Sequence, residues 1–330
     1  MSKRLPRPEK IKSPAWATDK VGRRWRWLVT ALLILSMVVT TAYVVIAGYG
    51  ATQLANVARL PLHTDPTHYG LQYQNVSFTS REDHVQLVGW FIPGIRPDKS
   101  LTTQRTIIMV HGYPGNRGTE SVGMLDIANQ FVRHGFAVLT FDLRAAGKSA
   151  PAPESLGYFE QRDVLGAVDF LQSGPLPYPE LGRPYLIAGW GVSMGGATLL
   201  LAAAREPAIR AVVSDCGYSD VLPILQRDIP TKSHLPPMFT PGIILATQVI
   251  YGMVLPDVRP VLFIQDDGDR KVPPADMEIL AQAARSAPGA HVETWMITGN
   301  VGHAQSFLKM GNVYINRLVA FYTAALGPNV

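Results

Sequence analysis

The sequence predicts an α/β fold: a mostly parallel central sheet with helices on both faces, preceded by one N-terminal transmembrane helix. Three observations carry this. From about residue 71, short apolar stretches rich in Val, Ile and Leu alternate with amphipathic helical ones, the pattern of parallel strands covered on both faces. Residues 27–50, WLVTALLILSMVVTTAYVVIAGYG, run 24 residues without a charge, and about 20 suffice to span a bilayer as helix. Finally, YLIAGWGVSMGGATLLLAA at 185–203 carries an apolar stretch through a glycine-flanked serine into helix-forming sequence.

At 330 residues, 47% hydrophobic and 17% charged, the chain can bury one large core and carry an appendage. The net charge of +5 comes from one end. Nine Lys and Arg against Glu9 and Asp19 give residues 1–26 a charge of +7, so the rest carries about −2. The basic character therefore gives no reason to expect a nucleic-acid partner. The single cysteine, Cys216, excludes an intrachain disulfide and leaves the redox compartment open.

Residues 1–26 read as a basic cytoplasmic tail and 27–50 as the span, with Trp25 and Trp27 at one end and Tyr43 and Tyr49 at the other as interfacial anchors. A cleaved signal peptide is the rival, with Val45 and Ala47 as a small-residue cleavage site. Its apolar region is usually only about 7–15 residues, which favours an uncleaved anchor. Nine basic residues before the span, against Arg59 shortly after it, put the N-terminus in the cytoplasm and the bulk of the chain on the extracytoplasmic side. Residues 51–70 read as a solvated linker, punctuated by PLHTDPTHYG, with His63 and His68 as spacer residues.

The domain then occupies 71–330. LQYQNVSFTS and VQLVGWFIP pair as strands about a turn at Arg81–His84. RTIIMV, FAVLTFD, PYLIAGW, IRAVVSD, RPVLFIQ and HVETWMI follow as further strands. Between and after them, helices are expected ending at Gly135, over 159–172, over 195–205, near 275–286 and over 305–325. Residues 218–257 form an insertion, and in its uncharged run from Leu235 to Pro256 the prolines before Gly242 leave only the later stretch for regular helix, too short and broken for a second span. Its Met238, Phe239, Ile243, Ile244 and Met253 either line a pocket for acyl chains or pack the insertion onto the core.

The sequence GWGVSMGG sets G-x-S-x-G where a buried strand stops and a helix begins, the setting of a nucleophile elbow. A plain helix cap at Ser193 is the simpler alternative. A serine hydroxyl needs a base, and usually a carboxylate to orient that base. His303, in TGNVGHAQSF between the last strand and the last helix, lies on the same sheet edge, unlike His291 at the opposite edge; His234 sits in the proline-rich insertion, within reach of substrate but without a rigid element to hold it. Among the acids, Asp269 leads into the tight turn RKVP; Asp267 is second and Asp215 an outside candidate. The amides of Met194 and of Tyr113, in the glycine-rich HGYPGN loop, are placed to hold an oxyanion. His111 reads as a structural brace of that loop. Neither cofactor nor metal is called for.

With HGYPGN, DLRAAGKS, GVSMGG, DDGDRKVP and GH at 302–303 in this order, residues 71–330 resemble serine hydrolases of the α/β-hydrolase superfamily, particularly membrane-anchored acyl hydrolases and esterases and the peptidase-like branch. The resemblance implies a Ser193–Asp269–His303 triad, since the family acid stands four residues before the proline at 273, and a cap at the insertion. Ala145 departs from the pattern, standing where many relatives have glycine, and so does Asp266. The implied activity is cleavage of an ester, thioester or amide of a small-molecule or lipid-like acyl substrate. The alternatives are a serine aminopeptidase or dipeptidyl-type peptidase, or a non-catalytic membrane-tethered binding module.

Overall fold

The computed structural model describes residues 17–55, 59–247 and 259–327. Helix α1, Ala17–Ala55, extends beyond the expected span at both ends. Its Gly22–Thr52 portion is long and apolar enough to cross a membrane, as a retained anchor or a signal sequence would be. The strands form an eight-stranded sheet in the order β1-β2-β6-β5-β7-β8-β9-β10. They are β1 Gln74–Thr79, β2 Gln86–Ile92, β5 Arg105–Val110, β6 Ala137–Asp142, β7 Leu186–Val192, β8 Ile209–Asp215, β9 Val261–Asp266 and β10 Val292–Ile297. β2 pairs antiparallel with β1 and β6, and the pairings from β6 to β10 are parallel. The central strands β5 and β6 are buried at every position, as expected of strands covered on both faces. A short hairpin, β3 Gly94–Ile95 with β4 Leu101–Thr102, was not anticipated.

Two apolar clusters, one on each face of the sheet, hold the helices. α3, Gln161–Ser173, and α4, Met194–Arg205, bury their apolar stripes in one; α2, Met124–Arg133, and α9, Asn312–Leu326, bury theirs in the other. α7, Pro274–Arg285, flanks β9 and β10. The expected single helix at 305–325 is broken into α8, Ser306–Met310, and α9 by Gly311 at φ +51°, a conformation glycine adopts without steric cost.

In the insertion, α5 runs Leu222–Ser233 with Pro223 in its first turn and Pro230 inside it, a helix the prolines concealed. α6, Thr240–Thr247, starts before Gly242 because Pro241 lies in its first turn, where its missing N–H costs no intrahelical bond. Burial on α1 starts at Tyr43 and recurs at 46, 47 and 50, one helical face. That face meets α6: a Cβ at Gly242 would stand 2.7 Å from Tyr43 Cε1 and 3.0 Å from Ala47 Cβ. The Tyr43 hydroxyl donates to Met238 O and accepts from Gly242 N, both 3.1 Å, and its ring stacks on Phe239 at 5.3 Å.

The segment expected to be a solvated linker is tied to the domain. Arg59 donates to the carbonyls of Gly147 and Ser149, and Asn116 Nδ2 to those of Leu60 and Pro61. Pro66–Tyr69 forms a 3₁₀ turn whose first amides are capped by Asp65. The DLRAAGKS loop is braced from below. Arg144, 2% exposed, donates through Nη2 and Nε to the fully buried Asp163 and through Nη1 to Asp83. Burial opposes the Arg144 charge, but the bonds to Asp163 and Asp83 outweigh it and raise its pKa. Ala145 takes φ +57°, so the chain accepts a strained position where glycine would be relaxed.

Candidate active site

β7 ends at Val192, and α4 begins at Met194, so one residue makes the turn. Ser193 adopts φ +55°, ψ −121°, a region non-glycine residues rarely occupy. The turn is closed by Ser193 N donating to Asp215 O, 2.7 Å, and by Gly196 N donating back to Ser193 O, 3.0 Å. A Cβ at Gly195 would stand 2.1 Å from Val110 O, and one at Gly191 2.4 Å from Gly195 O. Those approaches explain the glycine flanks.

Ser193, His303 and Asp269 come together from three loops on the carboxyl edge of the sheet. His303 Nδ1 lies 2.6 Å from Asp269 Oδ2, and Nε2 lies 2.8 Å from Ser193 Oγ. An ionised carboxylate only accepts, so Nδ1 carries the proton and Nε2 accepts from the serine hydroxyl. Burial alone would raise Asp269, but bonds from His303 and the Val272 and Lys271 amides outweigh it and lower its pKa. The ionised form is the one that orients the imidazole. Gln265, on β9, donates through Nε2 to Asp269 Oδ2 and to Val272 O. The sequence reading missed it, although a polar residue inside an otherwise apolar strand was the available signal.

The competing acids do other work. Asp267 accepts from the Gly299 and Val301 amides and so shapes the loop that carries His303. Asp215 accepts from Tyr314, Asp266 accepts from the Gln305 amide, and Ser306 Oγ lies between them, 2.9 Å from Asp215 Oδ1 and 2.8 Å from Asp266 Oδ1, anchoring the start of α8 and α9. Asp215 is pushed up to about 6 by burial and by Asp266 beside it. His111 is buried, with Nδ1 donating to Gly112 O, 2.7 Å, and Nε2 accepting from Leu143 N, 3.0 Å. Burial lowers its pKa, keeping it a neutral brace. Among the described residues, Cys216, Asp269 and His303 present atoms within 4.8 Å of one another. Burial pushes the Cys216 thiol well up, and the other two already bind each other, so this donor set suits proton relay better than a cation.

A cavity of about 580 Å³ opens over Ser193 and His303, and Tyr113 and Met194 also line it. Leu156, Tyr218, Leu225, Ile229 and Val272 supply apolar wall. Of the residues expected to line a pocket, Met253 lies outside the described residues, and the other four are not on this wall. Ile243 and Ile244 are buried in the core cluster, Phe239 stacks on Tyr43, and Met238 is 68% exposed. Ile243 and Phe239 thus pack the cap on α1.

Glu154 also faces the cavity, pushed up to about 7 by burial and then by the charge of Glu160. An acid whose folded-state pKa lies above its ordinary 4.5 stabilises the fold fully only below that value, and the contribution is lost as the pH rises through 7. Glu154→Gln is therefore expected to be more stable than wild type at pH 8 by about 1–3 kcal/mol and nearly equal to it at pH 4.5, as thermal unfolding at the two pH values would show.

Parts of the chain are similar to known proteins. A family model described as "alpha/beta hydrolase fold" matches residues 105–250. The quorum-quenching protein AidA of Acinetobacter baumannii is 31% identical over 127 residues, 38% of this chain and 39% of its own. The thiohydrolase aneE of Aspergillus aculeatus is 32% identical over 112 residues, 33% of each chain. The matched regions thus span under half the length of these curated relatives. Among solved structures, the Pyrococcus furiosus esterase Pf2001 superposes with a TM-score of 0.65 at 23% identity, covering 82% of this chain and 100% of that one. The chain has the α/β-hydrolase fold.

Proposed function

We propose that this chain is a membrane-anchored serine hydrolase, carboxylesterase- or lipase-like, that cleaves an ester, thioester or amide through an acyl-enzyme. The observation that carries the reading is the hydrogen-bonded line from Ser193 Oγ through His303 to Asp269, 2.8 and 2.6 Å, at the floor of a largely apolar cavity. Ser193 attacks the acyl carbonyl as His303 Nε2 takes its proton; Asp269 holds the imidazole and stabilises its charge. The Tyr113 and Met194 amides receive the oxyanion, and each such donor is worth about 10²–10³ in rate. His303 then protonates the leaving group, and water, activated by the same imidazole, releases the acid and restores the serine. An esterase among the structural neighbours and a thiohydrolase among the relatives are in keeping with acyl transfer.

The anchor is read as retained, with the N-terminus cytoplasmic and the domain outside, because the outer end of α1 is built into the cap and the basic residues precede the span. The test is labelling of the full chain with a fluorophosphonate probe beside Ser193→Ala, then turnover of p-nitrophenyl esters of rising chain length against aminoacyl anilides. Wild type is expected to label and the variant not to; equal labelling overturns the reading.

One observation favours the peptidase alternative. Glu154 gives the cavity a carboxyl that ionises near neutral pH and would pair with a substrate ammonium. Anilide turnover that rises through pH 7 and disappears in Glu154→Gln would select it.

A further inference from the structure

The cavity wall includes three residues of the membrane helix. Gly48, Ala51 and Thr52 of α1, with Ala246 of α6, line the same cavity as Ser193 and His303. The crossing of the two helices is close: a Cβ at Gly50 would stand 2.7 Å from Ile243 Cδ1 and 2.9 Å from Leu235 Cδ1. The strap after α1 is bonded through Arg59 and Asn116 to the loops beside the site. The membrane helix is thus held in one register against the reacting serine.

Depth follows from that register. If 27–50 spans the hydrocarbon, Tyr43 lies about 10 Å inward of Gly50 at 1.5 Å per residue. Met238, Phe239 and Gly242 contact Tyr43 and share its depth. Residues 235–247 carry no charge, and Met238 and Leu245 are 68% and 72% exposed. Large apolar side chains turned outward at bilayer depth have lipid as their natural solvent. The same cavity is also lined by Arg227, Asp228, Lys232 and Lys271, which suit a polar headgroup.

We propose that the substrate is a bilayer-resident acyl amphiphile whose chain reaches Ser193 along the cavity wall formed by Gly48, Ala51 and Thr52 of α1 and Ala246 of α6, so that the anchor forms one wall of the binding site. This deepens the hydrolase reading and rests on it.

The test uses the full chain in phospholipid nanodiscs and two probes, ethyl and hexadecyl fluorophosphonates. Wild type is expected to label faster with the hexadecyl probe, and Ala51→Trp and Ala246→Trp, which narrow the opening, each to lower the hexadecyl-to-ethyl rate ratio at least tenfold. A ratio unchanged in both variants, or a hexadecyl probe no faster than the ethyl one on wild type, overturns the proposal. No labelling of wild type by either probe removes the hydrolase reading itself, and this proposal with it. A second measurement does not depend on those variants folding. The native Cys216 is buried, so cysteines introduced at Met238 and Leu245 accept a fluorophore selectively. Quenching by acyl-chain spin-labelled lipid is expected; quenching by aqueous iodide alone overturns the proposal.

Discussion

His303→Ala is expected to lower kcat by about 10⁵–10⁶, and Asp269→Asn by about 10⁴, with KM for a short ester changed far less. The two losses have different origins. Without the imidazole, the Ser193 hydroxyl has no acceptor for its proton, because His303 Nε2 at 2.8 Å is the base in reach. With asparagine at 269 the base remains, but the side-chain amide offers a donor or a neutral acceptor where the carboxylate accepted from Nδ1, from the Lys271 and Val272 amides and from Gln265. An imidazole that rotates or changes tautomer presents Nε2–H to the serine and cannot take its proton. Steady-state kinetics on p-nitrophenyl butyrate checks both; an Asp269→Asn enzyme within tenfold of wild type would remove Asp269 from the mechanism. Combining the two changes should cost little more than His303→Ala alone, since groups that act as a unit are not additive.

Arg144→Met is expected to have the largest effect on stability of the substitutions considered. It should cost about 3–5 kcal/mol, the usual penalty for removing one partner of a buried ion pair. Arg144 and Asp163 are 2% and 0% exposed. Asp163 accepts from the Arg144 amide as well as its guanidinium, so the variant leaves a buried carboxylate with one backbone donor in place of a charged fork. The shift should be a fall in Tm of roughly 10 °C for a domain of this size. Arg144→Met combined with Asp163→Leu should recover much of it, because replacing both partners by apolar groups removes the uncompensated charge. A single variant that melts with wild type would show the pair to be dispensable.

The sequence displayed most of the sheet. Buried parallel strands such as RTIIMV and AVLTFD read as largely apolar runs, and G-x-S-x-G marked the tight turn at Ser193 that its glycine flanks make possible. Position on the sheet edge then pointed to His303, and the turn into Pro273 to Asp269, without any contact being visible. What escaped notice depended on partners far along the chain. Gln265 orients Asp269 from within a strand, and Glu154 reaches the cavity from a loop that no local pattern singled out. The cap residues Ile243 and Ile244 were apolar for the reason apolar residues usually are, burial, but composition does not reveal which surface they cover. α5 was hidden by Pro223 and Pro230, since a proline in the first turn and one deeper in a helix look alike in sequence.

The packing at Gly242 divides α1 into stretches that should drift differently over evolutionary time. Up to Ala42 its described side chains are open on every face, and one greasy residue can replace another there. From Tyr43 onward the inward positions answer to the cap packed on them, and a generic apolar helix grafted in their place would strip Gly48, Ala51 and Thr52 from the wall of the cavity.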